Sequence, residues 1–332
     1  MVRRRKMKGS RRMMLPWPPI PGRGARRNAA IDVDQPEMET PQHPGIALAL
    51  GGGAARGWSH IGVLRALDEA GIRIGMIAGT SIGALVGGCY LAGKLDELEE
   101  FARSLTRRRF LGLLDLRIAA GGLFGGMKLT ARMTEHIGAL NIEDLPKPFV
   151  AVAAEIGTGH EIWLTSGSLI TAMRASYALP GVFEPVRCNG RILVDGALVN
   201  PVPVSVCRAM EQRVVMAVNL HYDAFGRSSV LKHDAGPLVV DQPTPNRFGR
   251  SQQQQVEQRI GITGVMVEGY NIIQDRISRS RMAGDPPDLS IQPRLAHIGL
   301  ADFHRADEAI TLGYEAAKAR LHEVERLQAV LG

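Results

Sequence analysis

Three short segments hold residue types that can do chemistry. Gly79-Thr80-Ser81-Ile82-Gly83 is a G-x-S-x-G pentapeptide, the spacing of a nucleophile elbow. In such a turn the serine stands between a strand and a helix, and the glycines two places before and after it avoid clashes with the crossing chain. The helix N-terminus that follows favours an anionic intermediate at Ser81. The competing reading is a glycine-rich turn whose serine only caps a helix. Asp195-Gly196-Ala197 places an acid at a predicted strand end. There it fits a base brought up to a nucleophile, because a serine hydroxyl needs a proton acceptor; a turn or cap aspartate is the alternative. Gly51-Gly52-Gly53-Ala54-Ala55-Arg56-Gly57 lies between a predicted strand and helix. Its glycines let the backbone approach a ligand and point N–H groups at negative charge.

That glycine run does not read as a nucleotide loop. Gly51-x-Gly53-x-x is followed by Arg56 where a dinucleotide loop needs a small residue, and the next strand ends in Gly79-Thr80-Ser81 without a ribose-binding acid. The Gly-Lys-Ser/Thr of a P-loop is missing. A Ser–His–Asp triad remains open, with His221 as its best-placed histidine after a predicted strand. His60 follows the glycine run and is expected to pack or to meet solvent.

The elements that must position these residues are legible in the apolar pattern. Ile46–Leu50 is an uninterrupted apolar run of strand length. A helix is predicted near Ser59–Ala70, with Ile61, Leu64 and Leu67 on one face and Gly71 as its C-terminal stop. Ile74–Ala78 reads as a buried strand and Ile82–Ala92 as a helix, which makes β-α-β-α and predicts a parallel sheet covered by helices. The uncharged stretch Ile74–Gly93 resembles a membrane span in length, but its six glycines, Thr80 and Ser81 fit the strand, turn and helix better.

Residues 94–145 read mainly as helices, broken at Gly121, Gly122, Gly125 and Gly126; they shape either an acyl groove or lid, or ordinary helical packing. Strands follow at Phe149–Ile156, His160–Thr165 and Arg213–Leu220, with helices at Leu169–Ala178 and Val202–Met210, the latter with Pro201 and Pro203 in its first turn. Asn189-Gly190 marks a hairpin within Pro185–Leu198. Helical patterns return at Ile262–Met282 and Phe303–Leu331, separated by an extended stretch at Asp285–Pro293.

The net charge of +7 is misleading. Residues 1–30 carry ten Lys/Arg and no acid, so the remaining chain has 30 basic against 33 acidic residues. That distribution argues against nucleic acid as a partner of the body, and 5% aromatics are too few for a base-stacking platform. Cys89, Cys188 and Cys207 match no metal or redox spacing and are expected to be buried thiols.

Taken together, Gly51-Gly52-Gly53-x-x-Arg56-Gly57, Gly79-Thr80-Ser81-Ile82-Gly83 and Asp195-Gly196-Ala197 resemble the patatin-like phospholipase family. Ala175–Phe183 resembles the segment that this family carries between its serine and its aspartate, and the likeness spans about Ile46–Cys207. Arg281–Asp288 and Asp302–Ala306 resemble the short bacterial branch related to neuropathy target esterase. The resemblance implies a three-layer α/β/α fold with a mostly parallel central sheet, an elbow after an early strand, and extra C-terminal helices. It implies a carboxylic ester hydrolase acting on a glycerolipid or lysophospholipid, with Ser81 as nucleophile and Asp195 as proton acceptor. It further implies that backbone N–H groups of Gly52, Gly53 and Ala54 hold the oxyanion, that Arg56 fixes the loop, and that no cofactor or metal is needed. A lipid-binding or regulatory protein on the same fold is the alternative.

The expected organisation is a basic, disordered tail at 1–44, a catalytic domain at 45–220, a polar excursion at 221–260 and a helical region at 261–332 packing on the same domain. The tail has a twin-arginine look, but Pro16-Trp17-Pro18-Pro19 supplies no apolar stretch for a signal peptide. Residues 1–30 are read as a dispensable extension or as a tether to anionic membrane. The expected location is cytoplasmic or peripheral at the inner membrane, with no transmembrane span.

Overall fold

The computed structural model describes residues 45–109, 127–223 and 262–331. The basic tail, the glycine break at 121–126 and most of the polar excursion, with Gln252–Gln255, lie outside these residues.

Among the described residues, β1 (Ile46–Leu50) lies inside one eight-stranded sheet. It pairs in parallel with β2 (Ile74–Thr80) on one side and β7 (Val215–Val218) on the other. Its alternation decides which layer each residue serves. Ile46, Leu48 and Leu50 pack with α1 (Ser59–Glu69), α2 (Ile82–Leu91) and α8 (Ala306–Lys318). Ala47 and Ala49 face the short α6 (Val204–Ala209), where Val204, Val206 and Cys207 need less room. Both faces are covered, so all five residues are buried.

The sheet is mixed and mostly parallel. β3 (Phe149–Glu155) lies parallel to β2, while β4 (Glu161–Leu164) and β6 (Arg191–Asp195) run antiparallel to β3. β5 (Val186–Cys188) joins β6 through the Asn189-Gly190 turn, where both residues have positive φ. β4 pairs with Ala151–Ala154 along one edge of β3. The other edge is shared: β2 ends with Thr80 opposite Val152, and β6 ends with Asp195 opposite the next residue, Ala153. Two strands of opposite direction thus meet end to end on β3.

Helices α3 (Leu95–Arg103), α4 (Met127–Ile137) and α5 (Leu169–Ser176) follow the elbow, and α7 (Ile262–Gly284) and α9 (Leu321–Val330) belong to the C-terminal part. α8 crosses α1 in backbone contact. A Cβ on Gly62 would stand 1.9 Å from the Ile310 carbonyl oxygen, and one on Gly313 would stand 2.0 Å from that of Ser59. Only glycine at both positions permits this approach.

The structure departs from the sequence expectations in four places. The extended stretch after α7 contains β8 (Leu289–Ile291), which adds to β7 as a parallel edge strand. Three residues are too few for periodicity to declare a strand. Pro201 lies outside α6, because its carbonyl is taken by Gly52; Pro203 stands just before the helix. The final helical pattern breaks at Ala319–Arg320, where the Arg320 guanidinium bonds the Ser290 carbonyl and Glu323. Cys89 and Cys207 are buried, but Cys188 sits half-buried in the hairpin. Among the described residues no helix is long and apolar enough to cross a membrane.

Candidate active site

Ser81 occupies the sharp turn between β2 and α2, with φ 56° and ψ −123°. That region is costly for a residue with a Cβ and persists only where neighbours enforce it. Glycine is required on both sides. A Cβ on Gly79 would lie 2.5 Å from the Ala84 nitrogen, and one on Gly83 would lie 2.2 Å from the Leu50 carbonyl oxygen. The Ser81 carbonyl accepts the N–H groups of Ala84 and Leu85, which opens α2. The Thr80 hydroxyl donates to the Asn200 carbonyl at 2.8 Å, and the Ser81 N–H donates to the Ser176 hydroxyl oxygen at 2.9 Å.

The Ser81 hydroxyl donates to Oδ2 of Asp195 at 2.7 Å. Oδ1 of Asp195 accepts the Ala197 N–H at 2.8 Å, inside the turn that Gly196 opens. The aspartate is 2% exposed, and burial pushes its carboxyl up to about 7 against the pull of these two donors. Tyr270 on α7 comes near enough to feel that carboxylate. Burial first, and then the negative Asp195, hold the Tyr270 phenol well above its ordinary value.

The glycine loop closes over this pair. A Cβ on Gly52 would stand 3.4 Å from Ser81 Cβ and 3.3 Å from Ala197 Cβ. Gly51 N–H donates to Val218 and Gly52 N–H to Pro201. Among the described residues, Gly53 and Ala54 show no such bond, and they take φ 154° and φ 47°. Of the three N–H groups expected to face an oxyanion, Gly52's is therefore already engaged. Arg56 is buried and anchors the loop from behind: Nε donates to the Ile298 carbonyl at 2.8 Å, and Ala55 N–H donates to Leu300. Burial lowers the Arg56 pKa, opposed by Asp223 and Glu268. Gly57 packs directly on Ile82 of the elbow.

Two histidines have other work. His60 is fully buried, and its Nε2 donates to the Gly51 carbonyl at 2.7 Å; burial lowers its pKa to about 4. It packs beneath the loop and does not meet solvent. His221 is buried as well. Its Nε2 lies 2.6 Å from Oε1 of Gln274 on α7, an atom that only accepts, so this nitrogen carries the proton. Burial and then Arg56 lower His221 to about 4. Neither ring bonds Ser81 or Asp195 among the described residues.

The three motifs thus converge, but four contributors were not singled out from sequence. Asn200 and Pro201 hold the elbow and the loop through backbone carbonyls, which no side-chain pattern advertises. Tyr270 arrives from a helix beyond the excursion. Ser176 lay inside the Ala175–Phe183 segment, which was recognisable as a segment but carried no assigned role.

Residues 48–208 match the family model described as Patatin-like phospholipase. An uncharacterized NTE family protein of Mycobacterium tuberculosis (strain H37Rv) is 34% identical over 338 aligned positions, covering 85% of this chain and 92% of that protein. Neuropathy target esterase sws of Drosophila melanogaster is 34% identical over 183 residues, 53% of this chain and 13% of that protein. Lysophospholipase NTE1 of Mycosarcoma maydis is 38% identical over 183 residues, 53% of this chain and 10% of that protein.

Proposed function

Because this chain belongs to the patatin-like phospholipase family, among its NTE family proteins, we propose that it is a serine lipid acyl hydrolase working through Ser81 and Asp195. The observation that carries the reading is the 2.7 Å hydrogen bond from the Ser81 hydroxyl to a buried Asp195 carboxylate beneath the glycine loop. Ser81 Oγ attacks the ester carbonyl while its proton passes to Oδ2 of Asp195. A carboxyl whose pKa is about 7 is matched to that transfer at neutral pH. The N–H groups of Gly53 and Ala54 hold the developing oxyanion, with the N-terminus of α2 adding its dipole. Asp195 returns the proton to the departing alcohol. Water then attacks the acyl-Ser81 ester while Asp195 takes its proton, and collapse of the intermediate breaks the acyl–Ser81 Oγ bond, releasing the fatty acid as Asp195 returns the proton to Ser81 Oγ.

The substrate class is a glycerolipid ester, with lysophospholipid favoured by the fungal relative's name. Fluorophosphonate labelling of purified protein, together with fatty-acid release from lysophosphatidylcholine, tests the assignment. Wild type is expected to label and to turn over, and Ser81→Ala to do neither. Folded wild-type protein that does neither is instead a lipid-binding or regulatory member of the fold.

A further inference from the structure

The mechanism above leaves Ala175–Phe183 unused, yet its first turn grips the main chain of both reacting residues. Ser176 is the last residue of α5 and is fully buried. Its oxygen accepts the Ser81 N–H at 2.9 Å, and its own proton goes to the Val152 carbonyl at 2.6 Å. Two residues on, the Ala178 carbonyl accepts the Asp195 N–H at 2.9 Å. Val152 is the β3 partner of Thr80, next to the Ala153 that faces Asp195.

A hydroxyl has one proton and two lone pairs. Since the proton is committed to Val152, the oxygen presents only lone pairs to Ser81, and the bond has one polarity. The strained Ser81 backbone is thereby tied to the strand along which Asp195 is registered. From this geometry we infer that Ser176 is a positioning residue, which fixes the Ser81 main chain and through it the separation of the Ser81 hydroxyl from Asp195. Removing the hydroxyl leaves a buried N–H and a buried carbonyl without their partner and lets the elbow relax. A misplacement near 1 Å at a reacting atom costs about 10²-fold in rate.

This inference rests on Ser81 acting as the nucleophile, so the experiment carries that control. Steady-state hydrolysis of a soluble p-nitrophenyl ester and the rate of fluorophosphonate labelling are measured for wild type, Ser81→Ala, Ser176→Ala, Ser176→Cys and Ser176→Thr. Circular dichroism and thermal unfolding check each fold. Ser176→Ala is expected to lower kcat about 10–100-fold with KM within about twofold, and to slow labelling in parallel. Ser176→Thr, which keeps the hydroxyl, is expected to recover most of kcat. Ser176→Cys, a weaker hydrogen-bonding group of similar size, should fall between and replaces the alanine variant if that one fails to fold. A folded Ser176→Ala or Ser176→Cys with wild-type kcat overturns the inference. So does a threonine variant no better than alanine, or a loss that tracks the unfolded fraction alone. Wild-type protein without Ser81-dependent turnover sinks the functional reading instead.

Discussion

The Ser81 hydroxyl and the Asp195 carboxylate meet at 2.7 Å, and among the described residues no histidine bonds either of them. The nearest competitor, His221, spends its protonated nitrogen on Gln274. His221→Ala is therefore expected to keep kcat/KM within about threefold of wild type, while Asp195→Asn and Ser81→Ala lose about 10³-fold or more. Assays on folded variants decide it: a collapse of activity in His221→Ala would restore the triad.

The pH dependence should follow Asp195. In the proposed mechanism, its folded value of about 7 removes the proton acceptor below neutrality. We expect kcat/KM to rise along a single limb centred near pH 7; a limb centred near 4 would mean that the aspartate is not held as described. Stability runs the other way. The folded pKa is raised above the unfolded one, so the contribution is complete below about pH 3.9 and disappears as pH climbs through 7. Asp195→Asn should thus raise Tm over wild type at pH 8, and by progressively less as pH falls from about 7 towards about 3.9.

His60 has the opposite sign. Its pKa falls from 6.5 to about 4 on folding, so its contribution is present above 6.5 and drains away as pH drops towards 4. His60→Phe should flatten that acid-side decline in urea titrations. It should also cost about 1–3 kcal/mol at pH 7.5, because the Gly51 carbonyl loses its donor. An acid-side decline between pH 6.5 and 4 that is as steep in His60→Phe as in wild type would refute the buried, neutral assignment.

The crossing of α1 and α8 tests whether the C-terminal helices brace the site. Gly313→Ala drives a methyl into the Ser59 carbonyl and is expected to destabilise by about 1–3 kcal/mol, with a lower Tm. An unchanged Tm would mean that the two helices part without cost.

Much of this architecture was readable from residue types. Fixed spacings announced the elbow, the glycine run and the Asp-Gly-Ala turn, and the unbroken apolar run Ile46–Leu50 announced a strand. What stayed hidden depends on partners far along the chain. Arg56 looked like a loop residue, but its carbonyl acceptor at Ile298 is 242 positions away. Gly52 looked available for an oxyanion until Pro201 occupied its N–H. β8 is too short to carry a period and exists because β7 offers it an edge. Ser176 has no signature at all, since any buried hydroxyl reads alike until its two partners are known.

The end-to-end meeting of β2 and β6 makes β3 a ruler for the spacing of Ser81 and Asp195. Its divisions are whole residues, each about 3.3 Å apart along the strand. Inserting or deleting one residue between Val152 and Ala153 would carry Asp195 beyond hydrogen-bond reach of Ser81 and turn the following side chains to the opposite face. The separation therefore cannot drift by small increments through changes in strand register. Gradual adjustment is left to the loops and helices around the pair, while the pair itself is either in step or out of it.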